Sequence, residues 1–271
     1  MRTFFIILFV FLSGLLCAQK SNDDSSFVLI RTFEGDIAGA AIDNLDNLYI
    51  ISSGGQIKKF DASGDSVGIY NQVRNSGKLY SIDVSNPLKI LLFYKDFSTV
   101  VVLDRFLANL ATVDLRRYSI LQPGAIGLSY DNQIWVFDEY DNKLKKLDEQ
   151  GNLLLESQDF RTAINEGLSP QRILNDNGFV YLADSATGIF VFDNYGSFKR
   201  KVPLTHWQSI AIAKNHIISS SKDLITVYNP ATFMQTQKKH PSFTPYIHSF
   251  VHADKFITFS NQQLRIYRFS F

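Results

Sequence analysis

One short pattern recurs six times along the 271-residue chain: an aliphatic residue, a bulky apolar residue three places later, then Asp or Asn. It reads "IKKFD" at Ile57 to Asp61, "VVVLD" ending at Asp104, "LKKLD" at Asp148, "IFVFD" at Asp193 and "ITVYN" at Asn229. The sixth copy, "LRIYR", departs at its last residue, Arg268. The closing positions are 43, 44, 45, 36 and 39 residues apart, close to the length of a four-stranded blade. A unit that small cannot bury its own apolar face. It must stack on copies of itself, and six copies of a blade-length unit point to a ring.

The rest of each repeat fits that reading. A second apolar segment precedes each closing strand: "NLYIIS", "KILLFY", "QIWVFD", "FVYLAD", "HIISSS" and "KFITFS", joined to it by short polar or Gly-bearing hairpin turns. Before these lie small-residue segments such as "GAAID", "AIGLS" and "SIAIA", suited to strands crowded round an axis. After the closing Asp come "DASG", "DEQG" and "DNYG", with Asp first and Gly fourth as in a type I turn. The last repeat ends after its third strand, while "FVLIRTF" at residues 27–33 stands alone before the first. The expectation is an all-β, six-bladed β-propeller whose last blade is closed by the N-terminal strand, which leaves no open sheet edge. Only "SQDFRTAINEG" has helical character, and it is expected to form about one turn within a loop.

"DNQIWVFDEYDNKLKKLDEQGNLLLES", with "DNLDNLYIISSGGQIKKFDASG" and "DNGFVYLADSATGIFVFDNYGSF", resembles the NHL-type repeats of six-bladed β-propellers of the TolB-like superfamily, here in a secreted bacterial setting. The resemblance implies the fold. It leaves function open among protein binding, sugar binding, lactonase-like hydrolysis and amidating-lyase-like chemistry, which has to be argued from the site.

Residues 1–18 have export-signal anatomy: Arg2, a 13-residue run from Phe4 to Leu16 dominated by large apolar side chains, then "LLCAQ". The run is too short to cross a bilayer, so no membrane span is expected. Cleavage after Ala18 gives a polar leader over residues 19–26 and one propeller domain over 27–271, secreted or periplasmic; lipidation at Cys17 gives an outer-membrane lipoprotein instead. Without residues 1–18 the chain has 26 basic and 26 acidic side chains, lacking the positive excess that phosphate-backbone binding requires, so no nucleic-acid partner is expected.

No nucleophile elbow, zinc-binding helix pair, P-loop or dinucleotide fingerprint is present, and no thiol remains after residue 18. His206, His240 and His248 fall near the entries to blades five and six, but blades one to four supply no histidine partner for a metal. The recurring Asp43, Asp46, Asp61, Asp148 and Asp193 read as turn formers, so no cofactor is expected; Ca²⁺ held by "DNLDN" or "DEYDN" is the alternative. Lys58, Lys59, Lys145 and Lys146 read as solvated strand faces.

The expected function is a non-catalytic module binding a protein or glycan, with a metal-dependent small-molecule lyase or hydrolase as the alternative. Loops from each outer strand to the next inner strand share one rim with the central hairpin turns. Pooling them yields the candidate ligand-binding residues Arg74, Tyr94, Arg116, Arg117, Tyr118, Tyr140, Phe160, Arg161, His206, Trp207 and Tyr246, with Phe97, Arg172 and Phe243 on the same rim. The competing reading folds several rings inward and pairs the arginines with Asp96, Glu139, Asp159 and Glu166.

Overall fold

Twenty-four strands form six antiparallel four-stranded sheets in a computed structural model that describes residues 26–71, 77–240 and 248–270. Five sheets use four consecutive strands each, from the inner strand outward. The sixth takes His248–His252, Lys255–Phe259 and Gln263–Phe269 from the C-terminal end and Phe27–Glu34 as its outermost strand. The architecture is the expected six-bladed propeller with its expected closure. The single helical turn, Phe160–Ala163, lies in the loop between blades three and four. The signal segment, Cys17 and all but the last residue of the polar leader lie outside the described residues. Among the described residues no helix is long and apolar enough to cross a membrane.

The closing Asp residues make the turns that the repeat requires. Asp61 Oδ1 accepts the backbone N–H groups of Ser63, Gly64 and Asp65 at 2.8–2.9 Å, and Asp104, Asp148 and Asp193 accept two residues and four residues ahead in the same way. The fourth turn residue has a left-handed backbone, with φ of +96° at Gly64, +91° at Gly151 and +82° at Gly196. In blade two Leu107 takes that conformation, and its side chain is buried between blades one and two.

The core consists of six layers, one at each junction between neighbouring blades. Among the described residues the three junctions linking blades one to four hold eleven or twelve buried apolar side chains each, whereas the others hold six to eight. Inner strands crowd the axis most closely between blades three and four. There a Cβ added to Gly127 would stand 2.6 Å from the Ile173 carbonyl oxygen, so only glycine fits.

Because both faces of a blade are covered by neighbours, a third strand has little solvated face, and this corrects the reading of its lysines. Lys58 is exposed, but Lys59, Lys145 and Lys146 are buried, at 3%, 5% and 6% exposure. Each carries its charge to a partner. Lys59 Nζ donates to the Arg105 carbonyl at 2.9 Å; Lys146 Nζ lies 3.0 Å from Asp131 and 4.7 Å from the centre of the Trp135 ring. Lys145 Nζ lies 2.7 Å from Asp138 and 2.5 Å from Asp141. Burial works against the Lys145 ammonium, but the two carboxylates outweigh it and hold its pKa above the ordinary lysine value.

Three predictions follow from this packing. Deleting residues 27–34 removes a ladder running from Phe27 opposite Phe269 to Glu34 opposite Gln263, together with the Phe27 and Phe33 ring contacts. The melting temperature should fall by about 10 °C or more; an unchanged melt contradicts the shared blade. Lys145→Met leaves the fully buried Asp138 without its cation and should cost about 3–5 kcal/mol in urea unfolding, most of it recovered in Lys145→Met/Asp138→Leu. His252, at the junction of blades six and one, is held below the ordinary histidine pKa by burial and then by Lys255, against the pull of Asp46 and Asp43. The unfolded chain therefore takes up this proton more readily, and stability present above about pH 6.5 is lost as pH falls toward the folded pKa. The drop in melting temperature between pH 7.5 and 5 should be smaller in His252→Gln.

Candidate functional site

Each outer strand leads back over one rim of the ring into the next inner strand, so the inner-strand entries converge at one mouth of the central channel. A cavity of about 300 Å³ opens there. Tyr80 and Ser81 line it from the entry of blade two, Gln171 and Arg172 from blade four, Ser185 from the blade-four hairpin turn, and Trp207 and Gln208 from blade five.

Arg172 is the charged group of this cavity. Its Nη1 spans from blade four to blade two, donating to the Ile82 carbonyl at 3.4 Å. The guanidinium is reached by solvent yet ringed by protein. That surrounding lowers its pKa, with Asp83 and Tyr80 pulling the other way, and an arginine stays charged through such a shift. Asp83 is committed elsewhere: Oδ2 accepts the Leu128 N–H of blade three at 2.7 Å and Oδ1 accepts the Ser85 N–H at 2.8 Å. No ion pair joins it to Arg172 among the described residues.

Backbone and amide bonds hold the neutral wall. Gln171 Oε1 accepts the Ser185 N–H at 2.8 Å, and the His206 N–H donates to the Ser185 carbonyl at 2.7 Å, fixing the approach to Trp207. The Trp207 Nε1 is buried and has no hydrogen-bond partner among the described residues. Nearby, Lys95 lies over the Tyr80 ring at 5.1 Å and pairs with Glu139 at 3.5 Å.

Of the residues pooled from sequence, Trp207 and Arg172 line the mouth, and His206 lines a second cleft beside Trp207. Arg117 and Tyr140 stand exposed on the rim, at 81% and 66%. Arg116 is clamped by Asp114 at 2.9 and 3.0 Å, and Arg161 by Asp159 at 3.0 and 2.7 Å, the latter being one of the anticipated acidic partners. Glu139 and Glu166 pair instead with Lys95 and Lys201. The Tyr118 hydroxyl donates to the Gln150 carbonyl, which turns that ring onto the neighbouring outer turn.

Two placements are corrections. Tyr94 and Phe160 are each 1% exposed and belong to the core. Tyr94 ends a second strand covered on both sides, in the junction between blades one and two, while Phe160 stacks between Phe192 at 4.3 Å and Phe137 at 6.2 Å. Arg74, Tyr246 and Phe243 lie outside the described residues. Sequence reasoning missed Tyr80, Ser81, Gln171, Ser185 and Gln208. For all but Ser185 the available signal was position: they sit at or beside the start of an inner strand.

His248 stacks on Phe259 at 5.1 Å and His240 packs on Phe256 at 4.7 Å. Among the described residues no three His, Cys, Asp or Glu side chains gather as metal ligands. The carboxylates of the two acidic loops are engaged internally. Asp43 accepts from the Leu45 and Asn47 N–H groups and the Tyr49 hydroxyl at 2.9–3.0 Å, while Asp138 and Asp141 hold Lys145.

No family model matches the chain, and no curated protein matches it in sequence. Solved structures share its fold. A catalytically inactive virginiamycin B lyase from Staphylococcus aureus with quinupristin superposes with a TM-score of 0.60 at 10% identity, covering 89% of this chain and 99% of that one. The Pan2 WD40 domain of Neurospora crassa gives 0.59 at 12% identity, over 87% and 79%. A chain of the mitotic checkpoint complex gives 0.57 at 11% identity, over 88% and 74%. At these identities the likeness establishes the propeller fold alone.

Proposed function

We propose that this propeller is an exported, non-catalytic binding module of NHL-like type, which uses the mouth at the inner-strand entries to hold an anionic group of a protein or glycan. The observation that carries the proposal is the composition of the mouth. One guanidinium with no ion-pair partner among the described residues stands among two aromatic rings, two amides and two hydroxyls, and the described lining holds no carboxylate, imidazole or amine. Such a lining suits recognition: the arginine fork matches carboxylate, sulfate or phosphate geometry, and the rings add contact area. Acid–base chemistry would need a group poised near the working pH. Arg117 and Tyr140 extend the contact surface for a macromolecule across the rim. Protein assemblies among the structures of like fold, and the export-signal anatomy of residues 1–18, are consistent with this role.

Calorimetric titration with glucuronate, inorganic sulfate and inorganic phosphate tests it. At least one anion should bind saturably, and Arg172→Gln should weaken that binding by about 10- to 100-fold, since a hydrogen bond to a charged group contributes about 1.5–3 kcal/mol. The melting curve of the variant should match the parent. Absence of binding by all three anions, or equal affinity in the variant, overturns the proposal.

A further inference from the structure

Blade five departs from blade four on the face that each turns toward its preceding neighbour. Its face toward blade four begins like the rest, with the buried Ile217 and Tyr228 in the shared core. Toward the rim it changes. Ser219 pairs across the strands with Thr226, and Thr226 with Gln237. The matching positions in blade four are Leu182, Phe190 and Lys201, and there the blade three–four junction is filled by Leu182, Phe190 and the inserted Phe160. Small and polar side chains in place of Leu and Phe leave a cleft of about 240 Å³, walled on its other side by the loop carrying His206 and Trp207.

We infer that this cleft is a subsite for a neutral pyranose ring. Its walls offer the hydroxyls of Ser219, Ser221 and Thr226 and the amides of Gln235 and Gln237, groups that both donate and accept, beside the indole of Trp207. Ser219 and Thr226 are largely buried, and the two side-chain bonds of this set within the cleft among the described residues, Gln237 Nε2 to Thr226 Oγ1 and Ser221 Oγ to the Leu224 carbonyl, are both long at 3.4 Å. An apolar occupant would leave these groups unpaired, which is costly. An anion would find no Lys or Arg among the described residues of the walls. A sugar ring satisfies both demands, with hydroxyls at its edge for the amides and a C–H face for the indole. The inference rests on the binding-module reading but concerns a different cavity from Arg172, and it narrows the partner to a glycan.

The test uses the methyl glycosides of glucose, galactose, mannose and N-acetylglucosamine, followed by tryptophan emission; the second tryptophan, Trp135, is fully buried and serves as the unresponsive background. At least one glycoside should change the emission saturably, with a Kd on the order of 1 mM. Thr226→Val/Gln237→Met, which preserves volume while removing the polar groups, should weaken binding at least about 10-fold with an unchanged melting curve. Arg172→Gln should leave glycoside binding unaltered, which separates this subsite from the anion site. No saturable change up to about 50 mM of any of the four, equal affinity in the double variant, or loss through Arg172→Gln alone overturns the inference.

Discussion

The ladder between Phe27–Glu34 and Gln263–Phe269 joins the two ends of the described chain in one sheet, and the arrangement of everything else depends on it. A propeller has no central core. Its apolar residues lie in thin layers between blades, and each layer is complete only when both neighbours are held in place. Closing the last blade with the first strand turns six separate junctions into a ring. The mouth residues come from blades two, four and five, far apart in sequence, and only a closed ring fixes their distances. Arg172 reaching the Ile82 carbonyl two blades away expresses that constraint at the site itself.

Within the ring, the repeat divides into positions that must be kept and positions free to vary. The closing Asp residues are kept because their carboxylates satisfy turn N–H groups that would otherwise lack partners. Inner-strand entries and rim-side positions on the blade faces are freer, and there this chain concentrates its unusual chemistry. The junctions around blades five and six hold fewer buried apolar side chains among the described residues, and the cleft lies within one of them. The larger apolar layers among the described residues lie between blades one and four, and the smaller junctions carry more polar groups.

Much of the fold was legible in the sequence because period-two apolar strands and Asp-Gly turns are local signals. The spacing of the closing positions gave six blades, the spare strand gave the closure, and "SQDFRTAINEG" gave its single turn. Side-chain placement within the blades was less legible. Lys145 and Lys146 are adjacent and point to opposite faces of their strand, and their burial depends on the neighbouring blades and on Asp138, Asp141 and Asp131, which no local pattern reveals. Tyr94 and Phe160 failed as surface candidates for the same reason: a ring at the end of a strand or in a loop is covered when the next blade arrives. Of the pooled residues, Trp207 and Arg172 line the mouth and His206 lines the neighbouring cleft. Tyr80, Gln171 and Gln208 gain meaning only from convergence across the ring.

The central claim is that the inner-strand entries of blades two, four and five form the binding face. Amide hydrogen exchange, with and without a saturating anion of the kind that Arg172 selects, tests this most directly. The account predicts added protection at residues 80–82, 171–172, 185 and 207–208, with no change in the outer turns at 61–65, 104–108 and 148–152. Protection confined to those outer turns, with the mouth unaltered, would contradict it.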